Sequence, residues 1–206
     1  MKKLGFTLAE VLITLVIIGV IAAMTVPTLM NNTQGKENAT AFKKAISSMN
    51  QALTMEYALE GNTAATLDPD NDVNGLYTAM KKRTNVINEV DWTGTAAGVA
   101  AKQNTFATAD GIIYSIPNAP EAGTACSGET TDSGQDVYGL QECGIGAVDV
   151  NGTKGPNQQV ASSDKPQDIF LFKIYETKVL PGTSADTVEA AIMYDKKGVT
   201  TKSSES

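Results

Sequence analysis

One carboxylate stands where carboxylates are costly. Glu10 lies in a run, residues 6–30, whose other members are almost all apolar. An ionisable group inside such a run marks a functional position, because neither lipid nor a protein core tolerates it without a partner. Cys126 and Cys143 are the only cysteines. In an oxidising compartment they suit one disulfide, and in a reducing one they stay thiols. Bridged, they would close a loop of fewer than about twenty residues, worth about 3 kcal/mol in the chain-entropy picture. Asp149, Asn151 and Asp168 offer oxygens that could hold a calcium ion, a hard cation that takes carboxylates and carbonyls. An Asn-Gly turn at Asn151 and Gly152, with both aspartates capping loop backbone, accounts for the same residues without a metal. The stretch from Asp68 to Gly75 mimics the start of an EF-hand loop. Its glycine position falls on Val73 and its closing glutamate position on Ala79, so it reads as a solvated acidic loop.

Other chemistry is excluded by composition. The chain has no histidine, which removes Ser-His-Asp and Cys-His catalysis and histidine-dependent zinc sites. A net charge of −7 argues against a nucleic-acid surface, which needs clustered lysine and arginine. No nucleotide-binding glycine loop is present, and Trp92, the only tryptophan, reads as a packing residue.

The element that carries Glu10 is the most legible in the chain. Lys2 and Lys3 precede the apolar run and orient it with its N-terminus in the cytoplasm. Residues 6–30 are long enough to span a bilayer as a helix. An ordinary secretory signal would have a shorter apolar core followed by a small-residue cleavage site. A plain membrane anchor would leave Glu10 unexplained, and would not need Gly5 before Phe6. Pro27 lacks an N–H and so marks a helix end or a kink within a longer helix.

The sequence Gly5-Phe6-Thr7-Leu8-Ala9-Glu10 and the apolar stretch after it resemble the N-terminal signal of type IV pilins and type II secretion pseudopilins. In that family a membrane peptidase cuts after the glycine on the cytoplasmic side. The new N-terminal residue is then N-methylated, and the fifth residue after the cut is glutamate. The resemblance implies cleavage between Gly5 and Phe6, methylation of the Phe6 amine, and a role for Glu10 in assembly. It also implies a helix-interrupting proline at Pro27, and related pseudopilins carry calcium in C-terminal loops. The chemistry agrees. Glycine leaves the scissile bond open, and cutting there removes the two lysines while keeping the greasy segment. Glu10 can then pair with the Phe6 amine of a neighbouring subunit.

Beyond Pro27, residues 31–35 are polar and mark a potential break. Phe42, Ile46, Met49, Leu53 and Tyr57 then recur at helical spacing, which predicts a helix over 36–59 ending near Gly61, with that stripe facing the head's own sheet. A short helix is expected over 76–82 and an extended segment over 86–92. A hairpin is expected over 105–116, turning at Asp110 and Gly111, with further strands over 146–150, 169–175 and 179–180. The loop 119–143 holds the cysteines, and 188–194 reads as strand or short helix.

The expected fold is α+β: a long N-terminal helix, half of it transmembrane, on a small antiparallel sheet. The expected divisions are a leader (1–5), a membrane and filament-core helix (6–30), its amphipathic continuation (31–61) and a head (62–206). The expected function is that of a non-enzymatic subunit of a type IV pilus-like filament or a type II secretion pseudopilus. Its partners would be other pilins, the prepilin peptidase and methyltransferase, and the bacterial inner membrane before export to the periplasm or cell surface. No cofactor beyond the calcium reading is expected. The alternative is an uncleaved, membrane-anchored interaction module.

Overall fold

A computed structural model describes residues 5, 7–67, 75–92, 104–116, 126, 142–159, 166–182 and 192, with the backbone alone at Asn31, Asn32 and Glu142. Several expectations lie outside these residues. They are the leader residues 1–4, Phe6, the EF-hand-like stretch, most of the cysteine loop, and all of 188–194 but Ile192.

The first helix, α1 (Leu8–Glu60), runs for 53 residues, about 80 Å at 1.5 Å per residue. Thr7 caps its start in an extended conformation. Gly61, at φ 76°, closes its end by donating its N–H to the Tyr57 carbonyl at 3.0 Å, a left-handed position that glycine occupies without strain. The break expected over 31–35 is absent: the helix continues through Pro27 and through these polar residues. Gln is a good helix former, and Asn, Thr and Gly35 cost a helix at most about 1 kcal/mol each, so the turns on either side carry them.

A second helix, α2 (Gly75–Arg83), packs on the end of α1. Six strands follow: β1 (Val86–Glu89), β2 (Thr105–Thr108), β3 (Ile113–Ser115), β4 (Glu142–Asp149), β5 (Ile169–Tyr175) and β6 (Val179–Pro181). They form one sheet in chain order, and every neighbouring pair is antiparallel. The expected α+β arrangement is therefore what the chain adopts. The strand expected to begin at residue 146 starts at Glu142, so Cys143 lies in a strand and not in the loop.

The core sits between the head half of α1 and one face of the sheet. Phe42, Ala45, Ile46, Met49, Ala52 and Leu53 are buried against Tyr114, Ile116, Phe170, Phe172 and Ile174. The rings of Phe42 and Phe170 stack at 4.7 Å. Full burial of each large side chain is worth roughly 1.5–3 kcal/mol. The stripe is rotated slightly from the expected one. Tyr57 is 58% exposed, and Glu56, one residue earlier, is buried in its place. Glu56 is tolerated because the Arg83 guanidinium of α2 donates to it at 2.8 Å.

Opposite Phe172 on β4 stands Gly146, where a Cβ would come within 2.4 Å of the ring. Glycine there lets the aromatic lie flat on the neighbouring strand. Two side-chain amides fasten α1 to the last strands. Asn38 donates to the Gln167 carbonyl at 2.7 Å. Asn50 both donates to the Val179 carbonyl and accepts from its N–H, each at 2.9 Å, so it stands in for a neighbouring strand on the β6 edge.

Candidate functional site

Among the described residues, nothing buries the apolar window of the N-terminal half of α1. Every large apolar side chain from Leu8 to Met30 whose exposure is described is open, Leu8 at 81%. Its 18-residue core has a mean hydropathy of 2.5, which by length and composition suits a membrane span. The head neither covers this surface nor needs it for its own core.

At the start of this segment Glu10 is held by its own chain. Its carboxylate accepts from the Thr7 backbone N–H and from the Thr7 hydroxyl, both at 2.8 Å. The Glu10 N–H donates back to the Thr7 oxygen at 3.3 Å. This is a reciprocal capping box, which satisfies two of the N–H groups a helix start leaves open. The carboxylate also lies at the positive end of the helix dipole. Sequence reasoning missed Thr7, although the signal was available: Thr7-Leu8-Ala9-Glu10 has the Thr-x-x-Glu spacing of such a box. Gly5 is exposed and outside the helix, and a Cβ built on it meets nothing within 4 Å. Nothing in the folded chain therefore demands glycine there. Pro27 sits inside the helix. Without an N–H it leaves the Ala23 carbonyl without its usual helical donor. The neighbouring Thr25 hydroxyl is engaged elsewhere, donating to the Ile21 carbonyl at 3.0 Å.

In the head, Cys126 and Cys143 are joined by a disulfide, both nearly fully buried in the main core. The bridge ties β4 to a chain position 17 residues earlier.

The third cluster comes together through the β4–β5 register, which sets Asp149 opposite Ile169. Asp168 is completely buried. Its carboxylate accepts from the Gln158 N–H at 2.6 Å, the Asn157 N–H at 2.8 Å and the Asn151 side-chain amide at 3.0 Å. Asp149, also buried, accepts from the Asn151 N–H at 3.2 Å. Burial pushes the Asp149 carboxyl up to about 7, against the pull of the Asn151 N–H and with a further push from Asp168. Calcium would need these oxygens to face one another across a common point. Here the Asp168 oxygens face N–H donors, and an ion would have to displace them. The donor set clamps the 150–158 loop, and the buried Asn151 side-chain oxygen beside it meets no donor among the described residues. Among the described residues no group of three or more acidic, cysteine or histidine side chains gathers elsewhere.

Comparison with protein families matches residues 1–26 to the prokaryotic N-terminal methylation motif. This chain carries the type IV pilin and pseudopilin signal. The matched span holds Gly5, Phe6 and Glu10 and ends just before Pro27. Comparison with curated proteins and with solved structures finds no match, so the head rests on its own geometry. The pilin-type signal points to a structural role, and the bare apolar half of α1 is consistent with anchoring in the inner membrane before export.

Proposed function

We propose that the chain is a filament subunit, made as a membrane-inserted precursor, cut between Gly5 and Phe6, methylated on the Phe6 amine and then packed through α1 against sister helices. The observation that carries this reading is the bare segment itself. An apolar surface from Leu8 to Met30 is left uncovered by the head and begins with the methylation motif. Such a surface is stable only in lipid or against equally apolar neighbours. Removing Lys2 and Lys3 takes away the charges that anchor the N-terminus at the cytoplasmic face. The segment is then free to exchange one surrounding for the other.

Glu10 has two possible partners in this scheme. Before assembly Thr7 satisfies it. In the filament the Phe6 amine of a neighbour offers a full charge, and a charge-assisted bond is the stronger one. Exchanging one for the other would set the register of docking. Pro27, beside a carbonyl lacking its donor, is the position at which α1 bends when the subunit changes surroundings. Both a surface pilus and a secretion pseudopilus are served by these parts.

Intact mass and N-terminal sequencing of the protein extracted from cell membranes test the reading. A methylated Phe6 terminus is the expected result. A retained Met1 with no polymer would instead make the chain an uncleaved anchored module. Glu10→Ala should be processed but fail to enter filaments, and normal incorporation would remove Glu10 from the scheme.

A further inference from the structure

The underside of the head lies at a fixed height above the apolar span. Residues 11–35 contain no charged side chain. Residues 11–30 are nearly all apolar and, at 1.5 Å per residue, reach about 30 Å, the thickness of the hydrocarbon layer. Asn31, Asn32, Thr33 and Gln34 follow, uncharged and polar, suited to the interface. Lys36 is next, about 9 Å beyond Met30 along the axis.

The head begins at this same level. A Cβ on Gly35 would lie 3.8 Å from Pro166, and the Asn38 amide bonds the Gln167 carbonyl. The loop clamped by Asp168 hangs from that point and carries Lys154. Lys36 and Lys154 are both exposed, and neither forms an ion pair among the described residues. Among the described residues, the other charged side chains at this end are Glu37, exposed on the turn of Lys36, the buried Asp149 and Asp168 of the clamp, and Asp110, which the Lys44 ammonium engages at 2.7 Å. Although the chain's net charge is −7, this end presents two exposed cations that form no ion pair among the described residues.

Resting on the membrane-inserted reading above, we infer that the underside of the head docks on the outer leaflet of its own membrane, with Lys36 and Lys154 taking the phosphate groups of anionic phospholipids. The headgroup layer is only about 5–7 Å deep on each side. A lysine stem reaches back across most of the remaining gap, so both ammonium groups reach the phosphate level. The contact holds the head at one height and tilt before assembly. It has to be released when α1 leaves the bilayer.

Hydrogen exchange on the full chain in nanodiscs tests this. Discs of phosphatidylcholine alone are compared with discs containing phosphatidylglycerol, each with and without 0.5 M sodium chloride (about a Debye length of a few ångström). Amides of residues 150–158 should exchange more slowly over phosphatidylglycerol. Salt should abolish the difference, and Lys36→Gln and Lys154→Gln should each reduce it roughly five-fold. Because both lysines are solvent-exposed, the two variants should melt like the parent chain. Equal exchange over both lipids in a chain that resists carbonate extraction would overturn the lipid contact alone. Extraction of the chain by carbonate would overturn the membrane-inserted reading and the contact with it.

Discussion

The two halves of α1 are built from the same kinds of residue and are used in opposite ways. Phe42, Ile46, Met49 and Leu53 are sealed under the sheet, whereas Leu12, Ile13, Val16 and Ile17 stay open. The difference lies in pattern. The head half alternates its apolar stripe with Lys43, Lys44, Ser47 and Gln51, so one face is for core and one for water. The N-terminal half is apolar all round, which suits lipid or a bundle of helices. Burial within the chain stabilises the fold, and apolar surface left outside it is available for assembly.

Substitutions should separate the two halves. Phe42→Ala removes a buried ring stacked on Phe170 and should lower head stability by about 3–5 kcal/mol in chemical denaturation. Ile17→Ala should leave that midpoint unchanged and act on filament yield alone. Equal destabilisation by both would dissolve the distinction. Replacing Cys126 and Cys143 together by serine should cost roughly 3 kcal/mol from the freed loop, again with no effect on the bare segment. Glu56→Ala takes from the Arg83 guanidinium one of its two carboxylates, leaving Glu60 at 2.9 Å, and should lower the melting temperature by less.

A pH-dependent effect is expected at Asp149. Its folded value of about 7 lies above the unfolded one, so the folded state holds the proton more tightly. Stability from this group is therefore full below about pH 4 and declines as pH rises to about 7. Asp149→Asn should remove that decline, with melting curves that diverge from the parent at pH 8 and converge at pH 4. If calcium instead restored the parent's stability at pH 8, the clamp reading of this cluster would give way to a metal site. Least of all, Lys82→Ala breaks an exposed pair with Glu60 and should leave the melting temperature close to the parent's.

How much of this was legible depended on whether the signal was contiguous. The methylation motif is local, and Gly5, Phe6 and Glu10 stand together in it. β5 was legible because Ile169–Tyr175 is an apolar run of strand length. β4 was only half visible, since Gly144 and Gly146 dilute its apolar pattern. What makes glycine necessary at 146, the Phe172 ring across the strand, exists only once the strands pair. Polarity over 31–35 leaves both a break and a continuing helix open in the sequence, and the helix continues. Glu56 replaced Tyr57 at the core because its partner Arg83 lies 27 residues away, beyond what periodicity can report. The Asp149–Asp168 clamp likewise depends on strand register, so the residue types alone leave both the capping and the metal reading open.

The two amide clasps on α1, Asn38 to Gln167 and Asn50 to Val179, each join positions 129 residues apart. Each strand, by contrast, pairs with the one made just before it. A chain that keeps its N-terminus in the cytoplasm and emerges in sequence order would therefore expose the head half of the helix first and its cover last. Until β5 and β6 emerge, Phe42 and Ile46 have no sheet to lie under, and the newborn subunit shows two greasy surfaces where the finished one shows a single one. A chaperone or protease acting during that interval would meet a different molecule from the finished chain.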